Sequence, residues 1–241
     1  MDGAYLYVYA IAVISLAYWI RGLAAFGSGL IAIPLLAVFF PLIIVVPCIC
    51  ALDTLASCIH GVRYYKSIVW KDLLYLFPTM FVGVLTSLFI IEHIDAEILR
   101  LALGIFVVAY SIYSILPLGS YQTISKFWAA PTGITAGSIN TLIGTGGPIY
   151  VIYFALRKLN KTQFRANIAT ILGIDGFIRI VGFIFSGFYD QASMKYITIG
   201  LPIMMFFMFL GGRTHMSISQ STFDKIILGM LFVTGMVLIS T

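Results

Sequence analysis

The chain has 241 residues, of which 61% are hydrophobic and only 10% are charged. Soluble domains carry about 25% charged residues, so this composition excludes a soluble globular domain and indicates an integral membrane protein. The net charge of +5 does not indicate nucleic-acid binding, because several basic residues cluster in short gaps between apolar runs, as in cytoplasmic membrane-protein loops. Apolar runs follow one another along the whole length, which predicts a single membrane domain over 1–241.

Two segments are too apolar and too long for one helix, since about 20 residues suffice to cross the hydrocarbon core. Residues 4–40 contain Arg21 and the broken stretch AAFGSGLIAIP, and residues 127–156 contain GTGGP. Each is predicted to be a pair of helical pieces that meet at a glycine-rich break. Single transmembrane helices are predicted at 42–62, 73–91, 98–117, 165–187, 195–212 and 223–240.

A broken segment followed by three spans occurs twice, which predicts an internal duplication with repeat 1 at about 1–117 and repeat 2 at about 127–241. A shift of 119 residues places the first break, Gly27-Ser28-Gly29-Leu30, on the second, Gly146-Gly147-Pro148-Ile149. The fold class is therefore an all-α polytopic membrane protein with two tandem repeats. Each repeat is a broken helical hairpin plus three transmembrane helices.

The charges in the gaps predict how the halves are oriented. The gap 63–71 is basic and the gap 92–97 is mostly acidic, so the first faces the cytoplasm and the second faces outward. The same rule places both ends of 127–156 inside and both ends of 1–40 outside. Both segments are thus predicted to be hairpins, the halves inverted, and both termini outside. A single full span in place of either hairpin would reverse this relation.

The two breaks predict an anion site. An interrupted helix in hydrocarbon leaves backbone groups that only protein or a polar cavity satisfies. Glycines allow a ligand to approach the main chain, and the helix that follows points its N–H groups at the break. The alternative interpretation is that the glycines only allow close helix crossing.

These residues resemble a known family. The stretch AAFGSGLIAIPLL, the stretch GTGGPIYVIYF, the basic gap before VWKDL and the tandem layout are similar to the sulfite exporter TauE/SafE family, also called the toluene sulfonate uptake permease family, over about 20–240. The resemblance implies a transporter of sulfite, sulfoacetate or related sulfonates in the inner membrane of a bacterium or archaeon. Ser28 departs from the glycine often found in the first motif, and Pro148 from the small residue common in the second.

Charged residues within apolar segments are the main candidates for the site. Arg179 offers two parallel donors to a sulfonate, or is a structural partner of Asp175 one helical turn away. His60, which the 119-residue shift places on Arg179, is a hydrogen-bond donor, a proton acceptor or an interfacial histidine. Asp53 and Asp175 either relay protons or neutralise a nearby arginine. Arg21 either faces the cavity or extends to an interface.

Small and uncharged groups beside the breaks complete the predicted set, and each either contacts the anion or packs helices together. They are Gly27, Ser28, Gly29, Asn140, Thr145, Gly146 and Gly147. Cys48, Cys50 and Cys58 lack zinc-site spacing and are predicted to be packing residues. No metal or cofactor is expected.

The sequence favours a secondary transporter that works by alternating access, with a passive anion channel of the same architecture as the alternative. No nucleotide-binding or hydrolase motif is visible, so an enzyme is not expected. The expected partners are a small anionic substrate and the lipid bilayer, not nucleic acid. The anion, the direction of transport, a coupling proton or other ion, and a homodimer remain open.

The orientation is testable with a reporter that is active only in the cytoplasm. Fusion at the C-terminus is expected to give no signal, because that end is predicted to lie outside, whereas fusion within the basic gap 213–225 is expected to give a strong one. A strong signal from the C-terminal fusion would contradict the inverted arrangement.

Overall fold

The computed structural model describes residues 3–24, 26–91, 93–115, 124–157, 159–214 and 220–240. These ranges fold into helices without any strand, which confirms an all-α polytopic membrane protein. The helices are α1 Gly3–Ala24, α2 Ser28–Ala37, α3 Leu42–Tyr64, α4 Trp70–Ile91, α5 Ala96–Ile115, α6 Ala129–Ile143, α7 Gly147–Leu156, α8 Lys161–Phe185, α9 Gln191–Arg213 and α10 Gln220–Ser240.

Six of the described helices are long and apolar enough to cross a membrane: α1, α3, α4, α5, α8 and α9. The last five coincide with predicted spans, and α10 covers the sixth. The two helices of the first broken segment differ in length, because α1 has 22 residues and α2 only 10. At 1.5 Å per residue, α1 is about 33 Å long and exceeds the hydrocarbon thickness by itself.

The first broken segment, 3–37, is an antiparallel hairpin. The hydroxyl of Tyr9 donates to the carbonyl of Leu35 at 2.8 Å, and Arg21 Nη1 donates to Ser28 Oγ at 2.7 Å beside the break. Gly27, with φ of 95°, stands between the helices. Glycine adopts this left-handed conformation without steric cost, which allows the chain to reverse.

The second broken segment, 126–157, also returns to the end where it begins. The amide of Ile124 donates to the carbonyl of Leu156 at 3.4 Å, and Arg157 Nη1 donates to the carbonyl of Ile124 at 2.8 Å. Gly144, with φ of 71°, caps the C-terminus of α6 and starts the reversal. The break lies between it and the start of α7.

The central helices α3 and α8 are antiparallel. Near one end the hydroxyl of Tyr189, just after α8, donates to the carbonyl of Pro47 at 3.0 Å. Near the other end the amide of Val69 donates to Asn167 Oδ1 at 2.9 Å. Each helix directly follows its hairpin, so the two hairpins enter from opposite ends of the molecule. This supports the predicted inversion, while the repeat boundaries and the cytoplasmic face stay predictions.

Helix pairing is matched between the first five helices and the last five. The most extensive contacts join α1 to α9, α6 to α4, α3 to α8 and α5 to α10. The first helix of each half thus packs on the fourth helix of the other, and the third and fifth helices pair with their counterparts. Every one of these contacts crosses between the halves, so neither half forms a separate body.

Glycines allow these helices to approach closely. Gly83 and Gly137 lie against the backbone at Ile134 and Met80 where α4 crosses α6. Gly104 and Gly235 face each other where α5 crosses α10. Small residues have this packing role in many membrane proteins. The packing interpretation therefore holds for these four glycines.

This packing predicts a difference between two glycine substitutions. A Cβ at Gly137 would lie 2.7 Å from the Met80 carbonyl oxygen, whereas a Cβ at Gly229 in α10 would meet no atom within 4 Å. Gly137→Leu is expected to destabilise the protein by about 1–3 kcal/mol through overpacking, and Gly229→Leu is expected to have little effect. Thermal unfolding of the two variants in detergent tests this, and equal midpoints would contradict the proposed contact.

Candidate functional site

The two breaks meet at a cavity of about 50 Å³ in the centre of the molecule. A Cβ at Gly29 in α2 would lie 3.0 Å from the carbonyl oxygen of Gly144, which places the two hairpin tips against each other. One water needs about 10–15 Å³, so the cavity accommodates several waters or a small ion. The predicted residues that line it are Arg21, Gly27, Gly29, Asp53, Asn140, Thr145, Gly147, Asp175 and Arg179.

Arg21 is only 1% exposed and is bound on several sides. Nη1 lies 3.0 Å from Asp53 Oδ1 and 2.7 Å from Ser28 Oγ. Nη2 donates to Ser57 Oγ at 2.6 Å and to the main-chain oxygen of Asp53 at 3.1 Å. Tyr18 adds a hydrogen bond to Asp53 Oδ1 at 2.7 Å. The alternative that Arg21 extends to an interface is therefore wrong, and Asp53 neutralises it.

Asp175 and Arg179 form the second ion pair, on α8. Asp175 Oδ2 accepts a hydrogen bond from Asn140 Nδ2 at 3.0 Å and lies 3.6 Å from Arg179 Nη1. Asp175 Oδ1 faces the hydroxyl of Tyr150 at 3.4 Å. The predicted pairing one helical turn apart is present, but it is long and engages a single guanidinium nitrogen.

Arg179 keeps two nitrogen atoms without a hydrogen-bond partner, although the residue is only 6% exposed. These atoms are Nε and Nη2, which lie on one edge of the guanidinium and point two parallel N–H donors in the same direction. Thr145 Oγ1 is likewise buried without a partner. An unsatisfied buried donor costs about 1–3 kcal/mol, so these groups mark the place in the cavity where a ligand would be held.

Main-chain donors lie beside these side chains. The helices that follow the breaks begin at Ser28 and Gly147, and neither has a side-chain cap at its N-terminus. Amides in a first helical turn lack intrahelical partners and favour anions. A Cβ at Gly147 would meet no atom within 4 Å, so the main chain is open to the cavity there.

Residues 10–238 match the family model of the sulfite exporter TauE/SafE. The chain belongs to this family. A relative from Comamonas testosteroni, "Probable inner membrane transporter protein TsaS", is 21% identical over 187 residues, which are 77% of this chain and 78% of the relative. No solved structure matches the chain significantly. Family and relative together identify a multi-pass membrane transporter.

Three of the residues predicted for the site of this TauE/SafE protein are not among the residues that line the cavity. Ser28 lies behind the cavity lining and holds Arg21 and Asp53. Gly146 faces away from the cavity, because its Cβ would lie 2.9 Å from the amide nitrogen of Asn140 in α6. The side chain of His60 lies outside the described residues.

The two central helices carry similarly spaced polar residues. Asp53 and Asp175 both lie near the middle of their helices, and Ser57 follows the first by one turn as Arg179 follows the second. The correspondence of His60 with Arg179 stays a prediction. The 119-residue shift does hold for Arg21 and Asn140, which both bind the aspartate of their own half. The arginines of the TauE/SafE cavity thus come from non-equivalent positions.

Other residues of the site were missed by the sequence reasoning. Tyr18 and Ser57 escaped notice, although each lies one helical turn from a predicted residue, Arg21 and Asp53 respectively. Cys50, predicted only to pack, does line the cavity, with its Sγ 3.7 Å from the carbonyl of Gly176. Helical spacing from the buried charges would have found all three, because Cys50 also lies one turn from Asp53 on α3.

Aromatic contacts lie beyond the cavity in both directions. Toward the end where α8 begins, Phe26 at the first break makes an edge contact with Phe164 at 6.3 Å between ring centroids. Toward the other end, Phe183 makes edge contacts with Phe188 and Tyr189 at 5.5 and 6.4 Å. The cavity of the TauE/SafE protein is therefore flanked by rings at each end.

The two arginines predict different effects on stability. Arg21→Ala removes a guanidinium with four close contacts and leaves Asp53 without its cation, for an expected loss of about 3–5 kcal/mol. Arg179→Ala removes one long ion pair, while Asp175 keeps Asn140 and Tyr150, so a smaller loss is expected. Thermal unfolding in detergent without substrate measures both, and a larger loss for Arg179→Ala would contradict this assignment.

Proposed function

We propose that this protein is a secondary transporter that carries a small organosulfur anion, sulfite or a sulfonate, across the cell inner membrane by alternating access. One observation carries the proposal: the free edge of Arg179 is buried at a central cavity beside the unpartnered hydroxyl of Thr145. A charged donor edge without a partner in a low-dielectric interior is stabilised by an oxyanion.

The donor set suits a group with three oxygen atoms. Nε and Nη2 of Arg179 bind two oxygens side by side, and the hydroxyl of Thr145 donates to the third. The main-chain amide of Gly147 at the start of α7 adds partial positive charge, while Pro148 has no N–H and the amide of Ile149 donates to the carbonyl of Gly146. Sulfite and the head group of a sulfonate both present three oxygens on one sulfur, and the family description names sulfite.

The arrangement of the hairpins favours a carrier over a passive channel. The hairpins enter from opposite ends, and their tips meet at the anion site, which is the geometry that many secondary transporters use to expose one site to each side in turn. A channel needs an open path through the molecule. The aromatic contacts on both sides of the cavity favour a site that one side reaches at a time.

Loss of the free edge is expected to weaken anion binding strongly. Arg179→Gln keeps a polar side chain but removes the charge and one of the two parallel donors. Hydrogen bonds to charged groups contribute about 1.5–3 kcal/mol each, so affinity for sulfite is expected to fall at least about tenfold. Thermal-shift titration and uptake of labelled sulfite into proteoliposomes measure the loss.

Arg165→Gln is the matched control, because Arg165 lies exposed in the first turns of the same helix and is expected to retain wild-type binding. Unchanged binding by folded Arg179→Gln would overturn the proposed site. Sulfite flux that fails to saturate would indicate a channel.

A further inference from the structure

The charged groups of the cavity balance one another. Two guanidinium groups, those of Arg21 and Arg179, are paired with two carboxylates, those of Asp53 and Asp175. A bound monovalent anion therefore leaves one uncompensated negative charge in the interior of the membrane domain. Such a charge is costly at low dielectric unless a proton or a cation accompanies it.

The two carboxylates differ in their ability to take up that proton. Asp175 is 1% exposed, and its Oδ2 is held by Asn140 Nδ2 and Arg179 Nη1. These nitrogens donate and cannot accept, so a proton on Oδ2 would break both interactions. Oδ1 faces the hydroxyl of Tyr150 at 3.4 Å, but the burial of Asp175 keeps water away from the carboxyl group, so Asp175 exchanges a proton with water less readily.

Asp53 has partners that tolerate a proton. Its contacts with Tyr18, Arg21 and Ser28 all end on Oδ1. The two hydroxyls among them accept hydrogen bonds as readily as they donate. Oδ2 instead points toward Gly29 at the cavity, where a Cβ would lie 3.0 Å away. The side chain is 26% exposed, so water reaches this carboxyl group far more easily than Asp175.

Arg21 stays bound when Asp53 is neutral. Nη1 still donates to Ser28, and Nη2 still donates to Ser57 and to the main-chain oxygen of Asp53. Protonation therefore does not leave the guanidinium without hydrogen bonds. The cavity then carries one net positive charge, which matches a single anion.

We propose that each monovalent anion is carried together with one proton, and that Oδ2 of Asp53 binds the proton. This inference rests on the proposed function and identifies its coupling ion. Hydronium on the side to which the site is open gives up the proton, so one of its O–H bonds breaks as an O–H bond forms at Oδ2. On the other side this bond breaks again, water accepts the proton as the anion leaves, and the carboxylate is regenerated.

The groups that face Asp53 keep their own protons near neutral pH. Tyr18 and Arg21 face it from α1, and Arg179 interacts with it from α8. Tyrosine and arginine normally keep their protons below pH 9. Cys50, one turn away on α3, is a thiol that ordinarily titrates near pH 8.5. The neighbouring α2 contributes the hydroxyl of Ser28, which does not titrate.

Methanesulfonate tests the proposal, because this anion of a strong acid brings no proton of its own, whereas sulfite takes one up near neutral pH. Proteoliposomes with a trapped pH dye are expected to take up one proton per methanesulfonate. The apparent Kd in detergent is expected to rise by up to about tenfold per pH unit as the pH increases, as linkage of one proton to binding requires.

Asp53→Asn supplies the decisive variant, since its neutral amide imitates the protonated acid. It is expected to bind methanesulfonate with a Kd that no longer depends on pH between 5 and 7.5, and without proton uptake. Asp95→Asn, at an exposed aspartate between α4 and α5, is the matched control and is expected to keep the wild-type slope. Gel filtration and circular dichroism establish that each variant is folded.

Several outcomes would overturn the proposal. Saturable wild-type binding with a pH-independent Kd and no proton uptake would refute the coupling alone and leave the anion transporter intact. If Asp175→Asn loses the pH dependence of the Kd and Asp53→Asn keeps it, the proton is bound by Asp175, and the assignment to Asp53 is refuted. Absence of binding to both methanesulfonate and sulfite in folded wild-type protein would refute the transporter proposal together with this one. If Asp53→Asn does not fold, the wild-type proton count decides.

Discussion

The centre of this protein depends on one constraint: polar groups buried within a membrane domain need partners inside the protein. Two interrupted helices bring main-chain groups and charges to the same depth, and the structure satisfies most of them mutually. Arg21 binds across the first break to Ser28 and onto α3 at Asp53 and Ser57. This cluster joins the hairpin tip to a central helix. Among the buried groups without a hydrogen-bond partner, Nε and Nη2 of Arg179 and Oγ1 of Thr145 belong to residues that line this cavity, and they mark the candidate site.

The difference between the two arginines follows from the same constraint. Arg21 has four close contacts, whereas Arg179 has one long ion pair and a free edge at the cavity. Both terminal nitrogens of Arg21 are bound, whereas Nη2 and Nε of Arg179 are not. The proposed function accordingly assigns anion binding to Arg179, and the contacts of Arg21 hold the fold.

The matched pairing of the helices places one hairpin on each side of the central cavity. α3 and α8 run antiparallel through the centre, and each hairpin approaches from the end where its own central helix begins. α1 and α6 then pack on the fourth helix of the opposite half. Movement of one half against the other would change which end of the cavity is covered, while the ion pairs keep the site assembled. Neutral charge balance in the cavity makes a co-transported proton the natural companion of an anion.

The sequence by itself determined that the protein lies in a membrane, that five central stretches form long helices, that two segments are broken, and which charges lie within them. It did so because burial of about 20 apolar residues per span and the rarity of charges in hydrocarbon leave strong local signals. The stretches around Gly27 and in GTGGP were equally clear as breaks, since few residues other than glycine reverse a chain so tightly. The length of α1 and the role of Gly144 in the second reversal were not evident.

Only the tertiary structure decided which charges meet. The spacing of charges along the chain did not show that Arg21 reaches Asp53 and Ser57 on α3. Nor did it show that Asn140 meets Asp175. Likewise, no local pattern shows that Gly146 packs against α6 while Gly147 opens to the cavity. Pairing between distant helices depends on side-chain packing where the helices cross. The spacing of residues within one helix does not indicate which other helix will pack against it.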